Sequence, residues 1–364
     1  MTDVLHLSGP VRVDADDVRD QAWVLGGRVS FRRPTAPGAD VTTLAGWVVP
    51  GLVDAHCHIG LAAGGAVDDA TAEAQALTDR DAGTLLVRDA GSPADTRWMD
   101  ARDDLPRIIR AGRHIARSRR YIRNFAVEVE PDALLAEVRH QAARGDGWVK
   151  LVGDWIDRDL GDLAPCWPAE VLVEAIAAAH EAGARVTAHC FGEDCLPDLL
   201  AAGVDGIEHG TGFTAGTIEQ AAAADVAVVP TLVNIATFPH LAAAGDGRFP
   251  TWSAHMRALH ARRYETVRSL HEAGVRLFVG TDAGGSLPHG LVPAEVTELV
   301  GAGVPAVTVV GAAAWDARAW LGREGLSEGA RADLLVLDAD PVLDPSTLHR
   351  PRAVVLGGRP VVAH

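Results

Sequence analysis

Short runs of β-branched and apolar residues alternate with longer amphipathic stretches through the middle of the chain. Four amphipathic stretches end in Ala-Gly, at 82–83, 182–183, 202–203 and 273–274, and an apolar run follows each within a few residues. Glycine is a common helix C-cap, because it adopts positive φ without a Cβ clash. Helix, glycine and buried strand in repetition indicate βα units that build a parallel sheet.

Eight apolar runs qualify as strands of that sheet. They are residues 51–59, 84–90, 107–112, 148–153, 185–190, 206–210, 226–232 and 276–282. Eight βα units predict an α/β fold of the (β/α)8 TIM barrel class. A doubly wound open sheet is the structural alternative, but its first strand usually leads into a glycine-rich phosphate loop. Here the first strand ends in His-Cys-His instead.

Both ends of the chain have a different pattern, with short alternating runs and Gly-Gly turn signals. We expect antiparallel strands from residues 1–50 and 330–364 to pair into a small β-sandwich domain. Residues 51–329 then form the barrel domain.

Composition restricts the class of protein. The chain has 364 residues, of which 48% are hydrophobic, and a net charge of −16, which argues against a nucleic-acid partner. It has no run of about 18 apolar residues that could span a membrane and no signal-like N-terminus, so we expect a cytoplasmic protein. Its four cysteines include no CxxC pair, and a disulfide scaffold is not expected at this density. Association into a homo-oligomer stays open.

Ligand-type side chains lie at the ends of several predicted strands, where barrel active sites form. His56 and His58 alternate along strand one and therefore point to the same side. His189, His209 and Asp282 end strands five, six and eight. Each residue alone has an ordinary structural explanation, such as a hydrogen-bonded core histidine. Their coincidence at one end of the barrel predicts a metal site.

Lys150 interrupts the apolar strand 148–153. A buried lysine is costly unless something neutralises or binds its charge. Its stem could also extend to the rim of the barrel and leave the amine in solvent. The functional interpretation is a carbamate, formed from the amine and carbon dioxide, whose carboxylate bridges two cations.

These motifs resemble the amidohydrolase superfamily, in its imidazolonepropionase- and prolidase-like branch. The resemblance covers nearly the whole chain, through residues 49–58, 87–91, 149–150, 187–189, 207–210, 280–283, 313–321 and 330–338. It implies two divalent ions. Zinc is the default metal, and iron, manganese and cobalt are alternatives.

The resemblance also implies a role for each ligand. His56, His58 and Asp282 would hold the buried ion, His189 and His209 the exposed ion, and carboxylated Lys150 would bridge both. Water activated between the ions would attack an amide carbon, with Asp282 as general base and then general acid. His209 and His289 are the other candidate catalytic residues.

The substrate is a small molecule, and a dipeptide, an N-acyl amino acid or a cyclic amide is expected. The Gly-Gly-His-Gly segment of many relatives is absent, and residues 111–121 stand in its place, so His114, Arg113 and Tyr121 are candidate substrate contacts. His289, in the loop after strand eight, is a further candidate. Six arginines at 110, 113, 117, 119, 120 and 123 could include one or two that pair with a substrate carboxylate. Most of them are better explained as a solvated charged run.

Two other functions remain open at this point. A deaminase of a cyclic amidine on the same scaffold would release ammonia, hold one ion and not depend on Lys150. A catalytically silent barrel that serves as a binding protein would retain metal weakly and cleave no amide or ester.

Overall fold

The computed structural model describes residues 4–363, and residues 1–3 and 364 lie outside it. The strands are β1 (Val4–Arg12), β2 (Val18–Leu25), β3 (Arg28–Ser30), β4 (Val41–Ala45), β5 (Trp47–Pro50), β6 (Leu52–Cys57), β7 (Leu61–Ala62), β8 (Gly65–Ala66), β9 (Thr84–Asp89), β10 (Arg107–Arg110), β11 (Ile115–Arg117), β12 (Val127–Val129), β13 (Trp148–Val152), β14 (Asp154–Asp157), β15 (Asp162–Pro165), β16 (Arg185–Cys190), β17 (Gly206–His209), β18 (Ala227–Val229), β19 (Leu334–Leu337), β20 (Ala353–Leu356) and β21 (Arg359–Ala363).

The helices follow the strands as βα units require. They are α1 (Asp69–Asp81), α2 (Leu134–Arg144), α3 (Ala169–Glu181), α4 (Leu196–Ala201), α5 (Ala215–Ala223), α6 (Leu232–Ile235), α7 (Phe238–Gly245), α8 (Pro250–Glu272), α9 (Val292–Gly301), α10 (Ala306–Ala313) and α11 (Trp315–Trp320). Short 3-10 turns occupy Arg97–Ala101, Pro131–Ala133 and Pro345–His349. Among the residues that the structure describes, no helix is both long and apolar enough to cross a bilayer.

The expected glycine caps are confirmed. Gly83, Gly183, Gly203 and Gly274 all have positive φ, between 76° and 94°, directly before or within a few residues of a buried apolar run. Helix α3 buries Leu172, Ala175, Ile176 and Ala179 against the sheet, as its periodicity predicts. Burial of this face, rather than intrinsic propensity, supplies most of the stability of such a helix.

Parallel pairing joins the central strands in two sheets. One has the order β10-β9-β6 and the other has the order β12-β11-β13-β16-β17-β18. Seven of the eight predicted segments contain a strand. The third segment, 107–112, is interrupted, because Gly112 has φ +67° and turns the chain between β10 and β11. β10 pairs with β9, whereas β11 pairs with β13.

Residues 276–282, predicted as the eighth strand, form isolated bridges instead of a continuous strand. The amide of Phe278 donates to the carbonyl of Val228 at 2.9 Å, and the amide of Ala55 donates to the carbonyl of Val279 at 2.8 Å. This segment therefore lies between β18 and β6. Its carboxyl end, which carries Asp282, comes next to the carboxyl end of β6.

The two chain ends unite in one sheet. Its order is β21-β20-β19-β5-β1-β2-β3, with β4 also paired to β1. The antiparallel ladder between β5 and β19 joins the N-terminal and C-terminal segments, as expected. The expected sandwich of two packed antiparallel sheets is not confirmed: β1 pairs with β4 and β5 in parallel, so the sheet is mixed. The domain bounds themselves stay a prediction.

One pair of cysteines forms a local crosslink. Cys190 and Cys195 form a disulfide that closes the loop after β16. No CxxC motif indicates this pair, because the two residues are five positions apart and meet only when the loop turns back. Cys57 and Cys166 are free and buried.

Candidate active site

Three predicted ligands converge at the carboxyl end of β6. The Nε2 atoms of His56 and His58 lie 3.0 and 3.2 Å from the same carboxylate oxygen, Oδ1 of Asp282. All three side chains offer ligand atoms within 4.8 Å of one another. His56 lies on β6, His58 directly follows it, and Asp282 comes from the adjacent segment, so the neighbouring chain segments bring the cluster together.

A buried ion pair orients His56. Its Nδ1–H donates to Oε2 of Glu208 at 2.6 Å, while Oε1 of Glu208 accepts from Arg88 at 2.5 Å and contacts the hydroxyl of Thr187. Arg88 and Glu208 are completely buried. A carboxylate that accepts from one ring nitrogen fixes the tautomer and leaves the other nitrogen free for a metal.

His189 and His209 form the second half of the cluster. Their ring centroids lie 4.7 Å apart, and the His209 ring lies 5.2 Å from that of His56. The Nδ1 of His209 hydrogen bonds to the hydroxyl of Thr231 at 2.7 Å, so its Nε2 is available. The Nε2 of His189 is buried without a hydrogen-bond partner. Since buried polar atoms are normally satisfied, this orphaned nitrogen suits a metal ligand.

Lys150 points into the same region. It lies on β13, its Cα pairs in register with Thr187, and it is only 3% exposed. Burial lowers the pKa of Lys150 to about 8, although Glu208 and Asp282 act in the opposite direction. The expectation that its amine reaches solvent at the rim is therefore wrong.

The protonation states of His189, His209 and Asp282 suit metal binding. Burial lowers the pKa of His209 to about 3 and the pKa of His189 well below its usual range, so both rings are neutral at pH 7. Burial raises the pKa of Asp282, but the neighbouring His56 and His58 outweigh it and hold the pKa well below the usual range. Neutral imidazoles and an anionic carboxylate are the forms that ligate cations.

A cavity of about 290 Å³ opens onto these ligands. His58, His189 and Asp282 lie in its wall. The rest of the wall is mainly aromatic and aliphatic: Leu61, Tyr121, Ile122, Phe125, Trp155, Ile156, Leu163, Phe191, Leu241, Trp252 and Met256, with Asn234, Thr237 and residues 284–286 as further neighbours. The position matches the usual location of a small-molecule site in such folds.

The structure brings two of the four expected substrate contacts to the site. Tyr121 lines the cavity. His114 is buried beside it, with its ring 5.6 Å from the ring of His58 and 5.2 Å from that of Tyr121. The Nδ1–H of His114 donates to the carbonyl of Gly91 at 2.6 Å, while its Nε2 has no partner.

The other two expected contacts are not brought to the cavity. Arg113 donates from Nε and Nη2 to the carbonyls of Phe125 and Asn124, at 2.9 and 3.0 Å. His289, also expected to act in catalysis, is buried and donates from Nδ1 to Oδ2 of Asp79 on α1 at 2.8 Å. Both side chains hold neighbouring segments, which corrects the prediction from sequence.

A family model for amidohydrolases matches residues 47–361, which is most of the chain. The chain belongs to the amidohydrolase family. It is therefore a hydrolytic enzyme that acts on carbon–nitrogen bonds, as the motifs predict. An uncharacterized protein of Mycobacterium tuberculosis is 55% identical to this amidohydrolase over 345 residues, covering 94% of this chain and 92% of the relative.

Solved structures share the fold at low identity. A Xaa-Pro dipeptidase with bound methionine has a TM-score of 0.80 at 22% identity, covering 99% of each chain. The ochratoxinase of A. niger has a TM-score of 0.79 at 18% identity, covering 100% of this chain and 96% of that one. This amidohydrolase therefore has a TIM-barrel-type α/β fold.

Sequence reasoning missed three residues that support the ligands. Arg88 and Glu208 orient His56, and Asn234 donates from Nδ2 to Oδ2 of Asp282 at 2.7 Å. Arg88 was detectable, because an arginine within the apolar run 84–90 gives the same signal as Lys150. Asn234 carries no comparable signal, since it lies on the short helix α6 and meets Asp282 only through the fold.

Proposed function

We propose that this protein hydrolyses an amide bond of a small molecule with two divalent ions held by His56, His58, Lys150, His189, His209 and Asp282. One observation carries the proposal: two histidine Nε2 atoms converge on Asp282, and the pair His189 and His209 stands beside them at the floor of an apolar cavity. A silent binding protein would have no need of this arrangement.

The residues present fit a metal centre. The ligand atoms of His56, His58 and Asp282 lie within 4.8 Å of one another, and the buried Nε2 of His189 has no hydrogen-bond partner. Imidazole and carboxylate ligands suit zinc. When bound, such ions lower the pKa of water and polarise a carbonyl oxygen.

Carboxylated Lys150 is the proposed bridge between the two ions. The amine is buried near the proposed ligands His56, His189, His209 and Asp282, where an uncompensated ammonium would be costly. Its charge acts on the pKa values of His56, His189 and His209 alike, which supports a position between the two halves of the cluster. After the ammonium loses a proton, the neutral amine would add carbon dioxide and release a second proton, which gives the carbamate anion that two cations require.

Asp282 is the proposed proton carrier. Its side chain is 21% exposed and faces the cavity, so it can reach both water and substrate. Asn234 holds Oδ2, which leaves Oδ1 directed towards His56 and His58. Asp282 accepts the proton of the attacking water and returns it to the leaving amine, which departs as a neutral group.

Metal counting and rescue test this proposal. The purified wild-type protein should contain two zinc ions per chain and cleave amides, whereas Lys150→Ala should hold at most one ion and lose activity by at least 100-fold. Added propionate should restore part of the activity, because its carboxylate can occupy the vacated space. An active Lys150→Ala variant with unchanged metal content would refute the bridge, and ammonia release from a cyclic amidine would favour the deaminase.

A further inference from the structure

The cavity wall is mainly apolar. Beyond the metal-ligand candidates it consists of aromatic and aliphatic side chains, and Phe125, Leu163, Phe191 and Met256 are almost completely buried. The lining residues include one carboxylate, Asp282, and no lysine or arginine. Away from the ligand end, where the proposed ions would lie, a ligand anion placed against this wall would lose its hydration without gaining a cationic side chain as partner.

Two of the six arginines that could have bound a carboxylate are engaged elsewhere. Arg120 donates to the carbonyls of Trp155 and Ala164, both at 2.9 Å, and to Asp157 at 2.7 Å. These contacts hold the hairpin of β14 and β15, which carries Trp155 into the cavity wall. Arg113 does the same for Phe125 through its carbonyl. These two guanidinium groups therefore support the apolar wall, and none of the six arginines lines the cavity.

The mouth of the cavity is apolar as well. Ile122 and Leu241 line the cavity and remain 40% and 41% exposed. Large aliphatic side chains left open to water at a pocket entrance gain stability when an apolar ligand covers them. The aliphatic mouth and the aromatic interior both favour an apolar ligand.

We propose that the amide cleaved here bears a bulky, uncharged, aromatic group that packs against the wall formed by Trp155, Phe125 and Phe191, and that Trp155 determines this specificity. The proposal rests on the proposed hydrolytic function and narrows its substrate. It replaces the carboxylate-bearing dipeptide or N-acyl amino acid expected from the sequence with a neutral aryl amide. A volume of about 290 Å³ accommodates one aryl ring with a short chain on the amide.

Matched probes test the charge preference. N-ethylbenzamide and N-benzoylglycine are identical except at one end, where the first has a methyl group and the second has a carboxylate. N-ethylacetamide lacks the aromatic ring. With the zinc-loaded enzyme, kcat/KM for N-ethylbenzamide should exceed that for each of the other two by at least tenfold. Equal values, or a preference for N-benzoylglycine, would overturn the proposal.

Binding of uncleavable isosteres separates this proposal from the proposed function. Butyrophenone and 3-benzoylpropionate replace the amide N–H of the two benzoyl probes by CH2, and calorimetry with the zinc-loaded wild type measures their Kd. Butyrophenone should bind at least tenfold more tightly. That preference without cleavage of any amide would support the cavity assignment and count against the hydrolase. Absence of butyrophenone binding, or tighter binding of the carboxylate, would overturn the assignment.

Two tryptophan variants test the role of Trp155. Trp155→Ala should weaken butyrophenone binding at least fivefold and raise KM for N-ethylbenzamide more than it lowers kcat. Trp98→Ala, in the 3-10 turn Arg97–Ala101 and outside the cavity wall, is the matched control and should change neither value. Equal effects of the two substitutions would remove Trp155 from the proposal. Phe125→Leu provides a milder variant should Trp155→Ala fail to fold.

Discussion

Replacing Glu208 by glutamine removes one buried negative charge and leaves the side-chain volume almost unchanged. Glu208 accepts hydrogen bonds from His56 and Arg88 and contacts Thr187, and both members of its ion pair with Arg88 are completely buried. A glutamine turns one acceptor into a donor. Its amide group must then face either the Nδ1–H of His56 or the guanidinium of Arg88, and either arrangement sets two donors against each other.

The magnitude has two parts. Breaking a buried ion pair from one side costs about 3–5 kcal/mol of folding stability, because it leaves the other charge uncompensated. Without the carboxylate, the proton on Nδ1 of His56 is no longer held in place, so the tautomer of this ring is no longer fixed. Substitution of a residue that hydrogen bonds to a metal ligand in this way typically lowers metal affinity by about 10–100-fold. Glu208→Gln should therefore be less stable in urea and should bind zinc more weakly in competition with a chromogenic chelator.

A matched control separates the two effects. Asp340 forms a buried ion pair with Arg12 at 2.5 Å. Arg12 is the last residue of β1, in the mixed sheet built from the N- and C-terminal segments, far from the ligands. Asp340→Asn should reduce stability to a similar degree and leave the zinc affinity unchanged. If Glu208→Gln binds zinc within twofold of the wild type, the inference that Glu208 sets the tautomer of His56 is wrong.

Three further substitutions give distinct outcomes. Arg113→Ala should change KM for N-benzoylglycine and N-ethylbenzamide by the same factor, since its guanidinium binds backbone carbonyls; a rise for the carboxylate alone would contradict this. His289→Ala should lower the free energy of unfolding by about 3–5 kcal/mol, because the buried carboxylate of Asp79 loses its side-chain partner and keeps only the hydrogen bond from the Gly290 amide, and should leave KM unchanged. The hydrogen bond to Glu193 raises the pKa of His255 from 6.5 to about 9. Its charged form therefore stabilises the fold fully below pH 6.5 and loses this effect as pH rises through 9, so wild type and His255→Gln should differ in urea stability at pH 6 and converge at pH 10; a constant difference would refute it.

Local patterns predicted the parallel architecture correctly and brought together the side chains of the candidate metal site. The Ala-Gly caps and apolar runs are properties of adjacent residues, and strand ends of parallel sheets meet at one edge, so His56, His58 and Asp282 could be placed together from sequence. Where the prediction of strands was wrong, the cause was backbone geometry that spacing does not reveal. The turn at Gly112 divides the third strand, and residues 276–282 make bridges rather than a ladder.

Side-chain direction at the cavity could not be predicted in the same way. Arg113 and His289 have the right chemistry for substrate contact, but Phe125 and Asp79 become their partners only when distant segments pack. The aromatic wall likewise draws on Trp155, Phe191 and Trp252 from three separate elements. Substrate class is therefore the property that depends most on the tertiary structure.

One compositional fact makes the central claim directly measurable. Lys150 is the single lysine of the chain, because the other 32 of the 33 basic residues are arginines. Protein labelled with 15N at the lysine ζ position therefore gives one lysine signal in an NMR spectrum, with no need for assignment. Zinc and 13C-bicarbonate can be added to the same sample.

That spectrum tests the carboxylated bridge between two ions. With zinc and 13C-bicarbonate present, the account predicts a one-bond 13C–15N coupling on the single lysine signal, which disappears when a chelator removes the metal. A signal that remains an uncoupled ammonium or amine in the fully active, zinc-loaded protein would contradict the account.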